Sequence, residues 1–204
     1  MFLSIGFISV NVKADSVTIA TFADPSKNSS NPLFTVDFLN HSLTGGWADA
    51  NTGLTLEIPY NGNTFSDAWF DMTLVSIDSY GNTGSGMINF YKNNTSTLLV
   101  TIAFQSGSVS RFGFGAEDEF DDDGFVANNV TITGSEIVNT LSEEQFAFGF
   151  ANKKKLSGLA GQMGGFTTTA AFTSSAVVGE STIPEPATIC ILGLGALSLI
   201  RRKK

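Results

Sequence analysis

An all-β fold, a single β-sandwich or jelly roll, is what this sequence predicts, and three observations predict it. Apolar and polar residues alternate with period two in several short runs, the spacing that places side chains on one face of a strand. Turn signals rich in Gly, Asn and Pro separate those runs at intervals of about ten residues. Eighteen phenylalanines among 204 residues supply the bulky inward side chains from which a sandwich core is built.

Taken in order, Phe34, Val36 and Phe38 form a short alternating run between the signals Asn31-Pro32 and Gly45-Gly46. Leu54, Leu56 and Ile58 form the next, closed by Asn61-Gly62. Residues 68–77 carry Trp69, Phe70, Met72, Leu74, Val75 and Ile77, which reads as a strand buried on both faces. After the glycines at 81–86 comes the run Leu98, Val100, Ile102 and Phe104. A helical turn is expected at Ser142-Glu143-Glu144-Gln145, with Ser142 as its cap. Phe146, Phe148 and Phe150 resume the alternation, and residues 165–178, rich in Thr, Ala and Phe, read as the last strand. The absence of a visible repeat argues against a solenoid or propeller.

The chain divides into residues 1–14, a body at 15–178, a linker at 179–183 and a tail at 184–204. Between residues 15 and 183 there are eighteen acidic residues against six basic ones, a net charge near −12. Nucleic acid and anionic bilayers require a basic footprint, so neither is expected as a partner of the body. The one cysteine, Cys190, lies in the tail, and His41 is the one histidine. That inventory excludes disulfides in the body and zinc sites built from thiolates or several imidazoles.

In the tail, Pro184-Glu185-Pro186 precedes an apolar run at 187–200, followed by Arg201, Arg202, Lys203 and Lys204. The prolines fix φ and remove amide donors, leaving an extended backbone open to an enzyme. As a helix, the run spans roughly 21 Å against a hydrocarbon core of ~30 Å. A run this short also fits a buried core helix, although Gly193 and Gly195 weaken a helix there. The four cations favour a short transmembrane helix, because their stems snorkel and the positive-inside rule holds them cytoplasmic.

This three-part tail resembles the PEP-CTERM sorting signal of Gram-negative bacteria. The resemblance covers about a tenth of the chain. It implies an exosortase as partner, a transient stop in the inner membrane, and cleavage near Pro184-Glu185-Pro186. The product is then released or attached at the cell surface or in the extracellular matrix, in association with exopolysaccharide. At the other end, residues 1–14 read as a signal peptide, with an apolar stretch at 2–10 and a cleavage site at Val12-Lys13-Ala14. No positive n-region precedes the apolar stretch, so either the true start lies upstream or the signal is weak. The alternative is a first core strand at 4–10.

Four constellations are candidates for chemistry in the body. Glu119, Asp121, Asp123 and Gly124 are similar to the opening of a D-x-D-x-D-G calcium loop, with Glu in the first place. Val130 stands where a bidentate Glu would close such a loop, so the open readings are a weak Ca²⁺ site, ~10⁻⁴ to 10⁻³ M, and a solvated acidic loop. Trp47 is a candidate for stacking on polysaccharide, with Tyr60, Tyr80 and Tyr91 as further aromatics near turns, or else it closes one end of the core. Glu57, Asp67, Asp71 and Asp78 lie in or near strands, where two facing carboxylates would suffice for glycan hydrolysis. His41, in the loop Asn40-His41-Ser42, is the sole imidazole for a Ser-His-Asp triad, and no G-x-S-x-G or Walker motif accompanies it. The expectation is an exported, non-enzymatic surface or matrix protein that binds polysaccharide or Ca²⁺; the alternative is an extracellular glycan hydrolase.

Overall fold

A computed structural model describes residues 16–25, 32–46, 54–92, 95–120, 126–127, 129–157 and 164–179. The described residues are all β, with sixteen strands and no helix. In the first half of the chain these are β1 (Ser16–Phe22), β2 (Phe34–Asp37), β3 (Ser42–Gly45), β4 (Leu54–Ile58), β5 (Asn63–Met72), β6 (Val75–Ser76), β7 (Asn82–Thr83) and β8 (Gly86–Tyr91). The second half adds β9 (Leu98–Phe104), β10 (Gly107–Val109), β11 (Gly113–Glu117), β12 (Glu119–Phe120), β13 (Val126–Ala127), β14 (Val130–Thr133), β15 (Leu141–Lys155) and β16 (Phe166–Val178).

Fourteen of them form one antiparallel sheet along the path β14-β9-β8-β5-β4-β1-β16-β15-β11-β10-β7, with β2, β3 and β6 branching from β16. Its spine is the long hairpin β15–β16. On its other edge, β16 pairs with β2 through Phe166–Thr168 and with β1 through Phe172–Val177. Strand β5 turns the corner: its first half pairs with β4, while Trp69 to Met72 pair with β8. Asp67 sits at that corner with φ 55°, beside a register shift between Leu54 and Leu56. A bulge there bends and twists the strand, as corners between sheet layers require.

The curl lays the segment β5-β8-β9-β14 over β1-β16-β15-β11, so the two layers of the sandwich belong to one sheet. Phenylalanine fills the space between them. Phe90 and Phe172 approach to 5.0 Å between ring centroids, Phe104 and Phe146 to 5.3 Å, and Phe34 and Phe148 to 4.8 Å. Phe148 also meets Phe22, Phe70, Phe114, Phe146 and Phe172. Such pairs contribute ~0.5–1.5 kcal/mol each beyond the area they bury. Gly165 ends the β15–β16 connection at φ 104°, where a Cβ would run into the Val36 carbonyl oxygen, so no L side chain fits without displacement.

Two local expectations are corrected. Residues 142–145 belong to β15 and form no helical turn, because Gln145 continues the ladder with Ser175 and Glu117. The irregularity lies instead at Glu143, with φ 52° beside a register shift. Nor is the 68–77 stretch buried on both faces: Ala68 and Phe70 point inward, Trp69 and Asp71 outward, and Leu74 is 69% exposed in the loop before β6. The expected signal peptide at 1–14 and the C-terminal apolar helix at 187–200 lie outside the described residues. No helix among those described is long and apolar enough to cross a membrane.

Candidate functional site

Inward packing of Phe70, Ile88, Phe90, Val100, Ile102, Val130 and Ile132 turns the alternate residues of β5, β8, β9 and β14 outward. One outward row runs in register across all four strands: Asp71 opposite Asn89, Asn89 opposite Thr101, Thr101 opposite Thr133. Its side chains are linked. The Thr101 hydroxyl donates to Asn89 Oδ1 at 3.0 Å, and Asn89 Nδ2 donates to Asp71 Oδ1 at 3.1 Å.

The adjacent row begins with Trp69 opposite Tyr91, whose rings stack at 4.2 Å with planes 17° apart. Tyr91 donates its hydroxyl to Asp71 Oδ2 at 3.3 Å, joining the aromatic pair to the polar row. Its phenol is held above the ordinary tyrosine range, first by partial burial and then by the Asp71 charge. The hydroxyl therefore stays protonated and remains a donor. On the other side of the row, Met87 and Thr131 are exposed and Ala103 is half-buried.

Of the residues singled out from the sequence, Tyr91 and Asp71 belong to this face. Trp69, expected in a strand buried on both faces, stands on the outer face, and its odd position against buried Ala68 and Phe70 is the signal that places it there. Tyr60 packs against the core, and Tyr80 stands 92% exposed on the turn after β6. Trp47 lies outside the described residues; Gly46, before it, bridges Asp71.

The carboxylates considered for hydrolysis are dispersed. Glu57 and Asp71 face solvent on their strands, and Asp67 occupies the β5 corner. Asp78 accepts from the Asn82 side chain and from the Asn82 and Tyr80 amides, which holds its carboxyl below the usual range and suits a turn anchor rather than a general acid. His41 lies in the turn after β2 at φ 51° and lines a groove with Phe38, Leu39, Tyr80 and Val109. No hydrogen bond among the described residues joins its imidazole to a carboxylate.

The acidic segment divides in two. Glu119 begins β12, which pairs with β13 in a short ladder, while Asp121 and Asp123 lie outside the described residues. Asp118 is 5% exposed and turns inward beside Glu144. Among the described residues no group of three His, Cys, Asp or Glu side chains is arranged to hold a metal ion.

Residues 182–204 match the family model of the PEP-CTERM protein-sorting motif. The match takes in Pro184, Glu185, Pro186 and the basic end at 201–204, and it implies export through the membrane-associated exosortase pathway. No curated protein and no solved structure matches the chain.

Proposed function

We propose that this protein, which ends in a PEP-CTERM sorting motif, is a non-enzymatic component of the cell surface or extracellular matrix. An exosortase processes it at the inner membrane, and its β body associates with extracellular polysaccharide. The observation that carries the reading is the placement of the motif. Only five residues separate Val178, the end of β16, from Pro184. Strand β16 is paired along both edges, so the body can stay folded while the tail is cut. The acidity of the body supports a soluble life outside the cell and disfavours attachment to anionic lipid.

Replacing Pro184, Glu185 and Pro186 together by Ala, in a Gram-negative strain that carries an exosortase, tests the sorting step. The expected result is an unprocessed chain retained in the inner membrane. Appearance of the variant outside the cell at the parental level would contradict it. Release of reducing ends from a neutral polysaccharide by the purified parent, and not by an Asp71→Ala control, would contradict the non-enzymatic reading.

A further inference from the structure

We propose that the outer face of β5, β8, β9 and β14 binds a neutral polysaccharide chain, with Trp69 and Tyr91 stacking on sugar rings and Asp71, Thr101 and Thr133 bonding their hydroxyls. The inference rests on reading the body as a matrix component and adds to it a site and a ligand class.

The polar row has unspent hydrogen-bonding capacity. A carboxylate offers about four acceptor positions, and Asp71 uses one on Asn89 and one on Tyr91. Asn89 is committed to Asp71 and to the Tyr91 hydroxyl, while Thr101, having donated to Asn89, keeps its acceptor lone pairs. Thr133 makes no hydrogen bond with another described side chain. Acceptors at Asp71 and Thr101 and the hydroxyl of Thr133 thus lie along a row about 15 Å long, given strands ~4.8 Å apart. Neighbouring hydroxyls on a sugar ring both donate and accept, which is the complement of such a row.

The aromatic pair adds a surface for stacking. Stacking occupies one face of Trp69 and one of Tyr91, and no other ring among the described residues covers the opposite faces. Both side chains remain half-buried rather than closed into the core. A sugar presents C–H groups on one face and hydroxyls at its rim, so a ring beside the polar row satisfies both kinds of surface. The links Tyr91–Asp71–Asn89–Thr101 hold the face in one arrangement before binding, which lowers the ordering cost of association.

Charge narrows the ligand further. Asp71 sits within the row, and residues 15–183 carry a net charge near −12. Uronate- or sulfate-bearing polymers are repelled, and so is nucleic acid, which leaves neutral chains.

The test is affinity electrophoresis of the purified full chain, kept in a detergent without a sugar headgroup. The gels contain a soluble β-glucan, a galactomannan, a dextran or alginate. Retardation by at least one neutral polymer and none by alginate is expected. Trp69→Ala should weaken that retardation by about tenfold or more, a change of ~1.4 kcal/mol. Asp71→Ala, at an exposed position that leaves the core intact, should weaken it severalfold with unchanged thermal unfolding. Retardation by alginate alone, by no polymer, or equally in parent and both variants would overturn the proposal. Binding by the purified chain is independent of processing, so failure here and failure of the sorting test are separate results.

Discussion

Asp118 and Glu144 clasp each other where the curled sheet meets itself. The Asp118 amide donates to the Glu144 carbonyl at 2.9 Å, and the Glu144 amide donates to Asp118 Oδ2 at 2.9 Å. Each carboxylate then covers an outward amide of the edge strand β14: Asp118 Oδ1 accepts from Val130 at 2.8 Å, and Glu144 Oε1 from Ile132 at 2.6 Å. Two side chains thereby stand in for the ladder that a further strand would supply, and they satisfy amides that burial would otherwise leave unpaired. Both residues are more than nine-tenths buried, at 5% and 7% exposure.

Removing one arm of this clasp should be costly. Asp118→Ala strips acceptors from the Val130 and Glu144 amides, and an unsatisfied buried donor costs ~1–3 kcal/mol. A loss of about 3 kcal/mol is expected, read as a lower urea midpoint with little change in slope. A loss no larger than that of an exposed control such as Glu57→Ala would contradict the assignment.

The clasp also predicts a pH dependence of known sign. Burial, the largest cause, pushes the Glu144 carboxyl above the ordinary glutamate range; the Ile132 amide opposes this and the Asp118 charge adds to it. The folded state therefore binds more protons than the unfolded chain between the ordinary value and the raised one. Stability is fully present below the ordinary value and falls as pH rises through that window. Glu144→Gln keeps an acceptor for Ile132 and removes the buried charge. Urea titrations from about pH 5 to 8 should show the variant gaining on the parent as pH rises; a constant difference would refute this.

Phe148 lies at the centre of the ring cluster and spans both layers, so Phe148→Ala should cost about 3–5 kcal/mol. Thermal unfolding should place its midpoint far below that of a substitution at exposed Phe112. Equal shifts would mean that the layers are not joined through Phe148.

Gly165 and Gly62 give a paired test of backbone geometry. Both have positive φ, but a Cβ at Gly62 meets nothing within 4 Å, whereas at Gly165 it collides with the Val36 carbonyl. Gly62→Ala should cost about 1 kcal/mol, and Gly165→Ala more than ~2 kcal/mol, as it combines strain with the collision. Chemical unfolding of the two variants checks the order.

Much of the β pattern was legible because alternation reports directly on burial. The runs at Leu54–Ile58 and Leu98–Phe104 are strands β4 and β9 with the bounds their apolar residues mark. What escaped were positions where local pattern and tertiary role part company. Glu144 shares the inward phase of Phe146, Phe148 and Phe150, yet its charge and its Ser-Glu-Glu context read as a capped turn. Only the arrival of β14 beside it, the preceding strand but not a ladder partner of β15, explains a carboxylate on the core side. Trp69 was hidden by apolar neighbours on both phases, and its partner Tyr91 lies twenty-two residues away across the β5–β8 pairing. The sorting tail was legible in full, because its order of prolines, apolar run and cations is local.

The most direct test of the account is the intact mass of the protein recovered from the surface and medium of cells that carry an exosortase. A mass ending near residues 184–188, with the residues before Asp15 absent, is the predicted result. A mass retaining Arg201, Arg202, Lys203 and Lys204 would contradict exosortase processing.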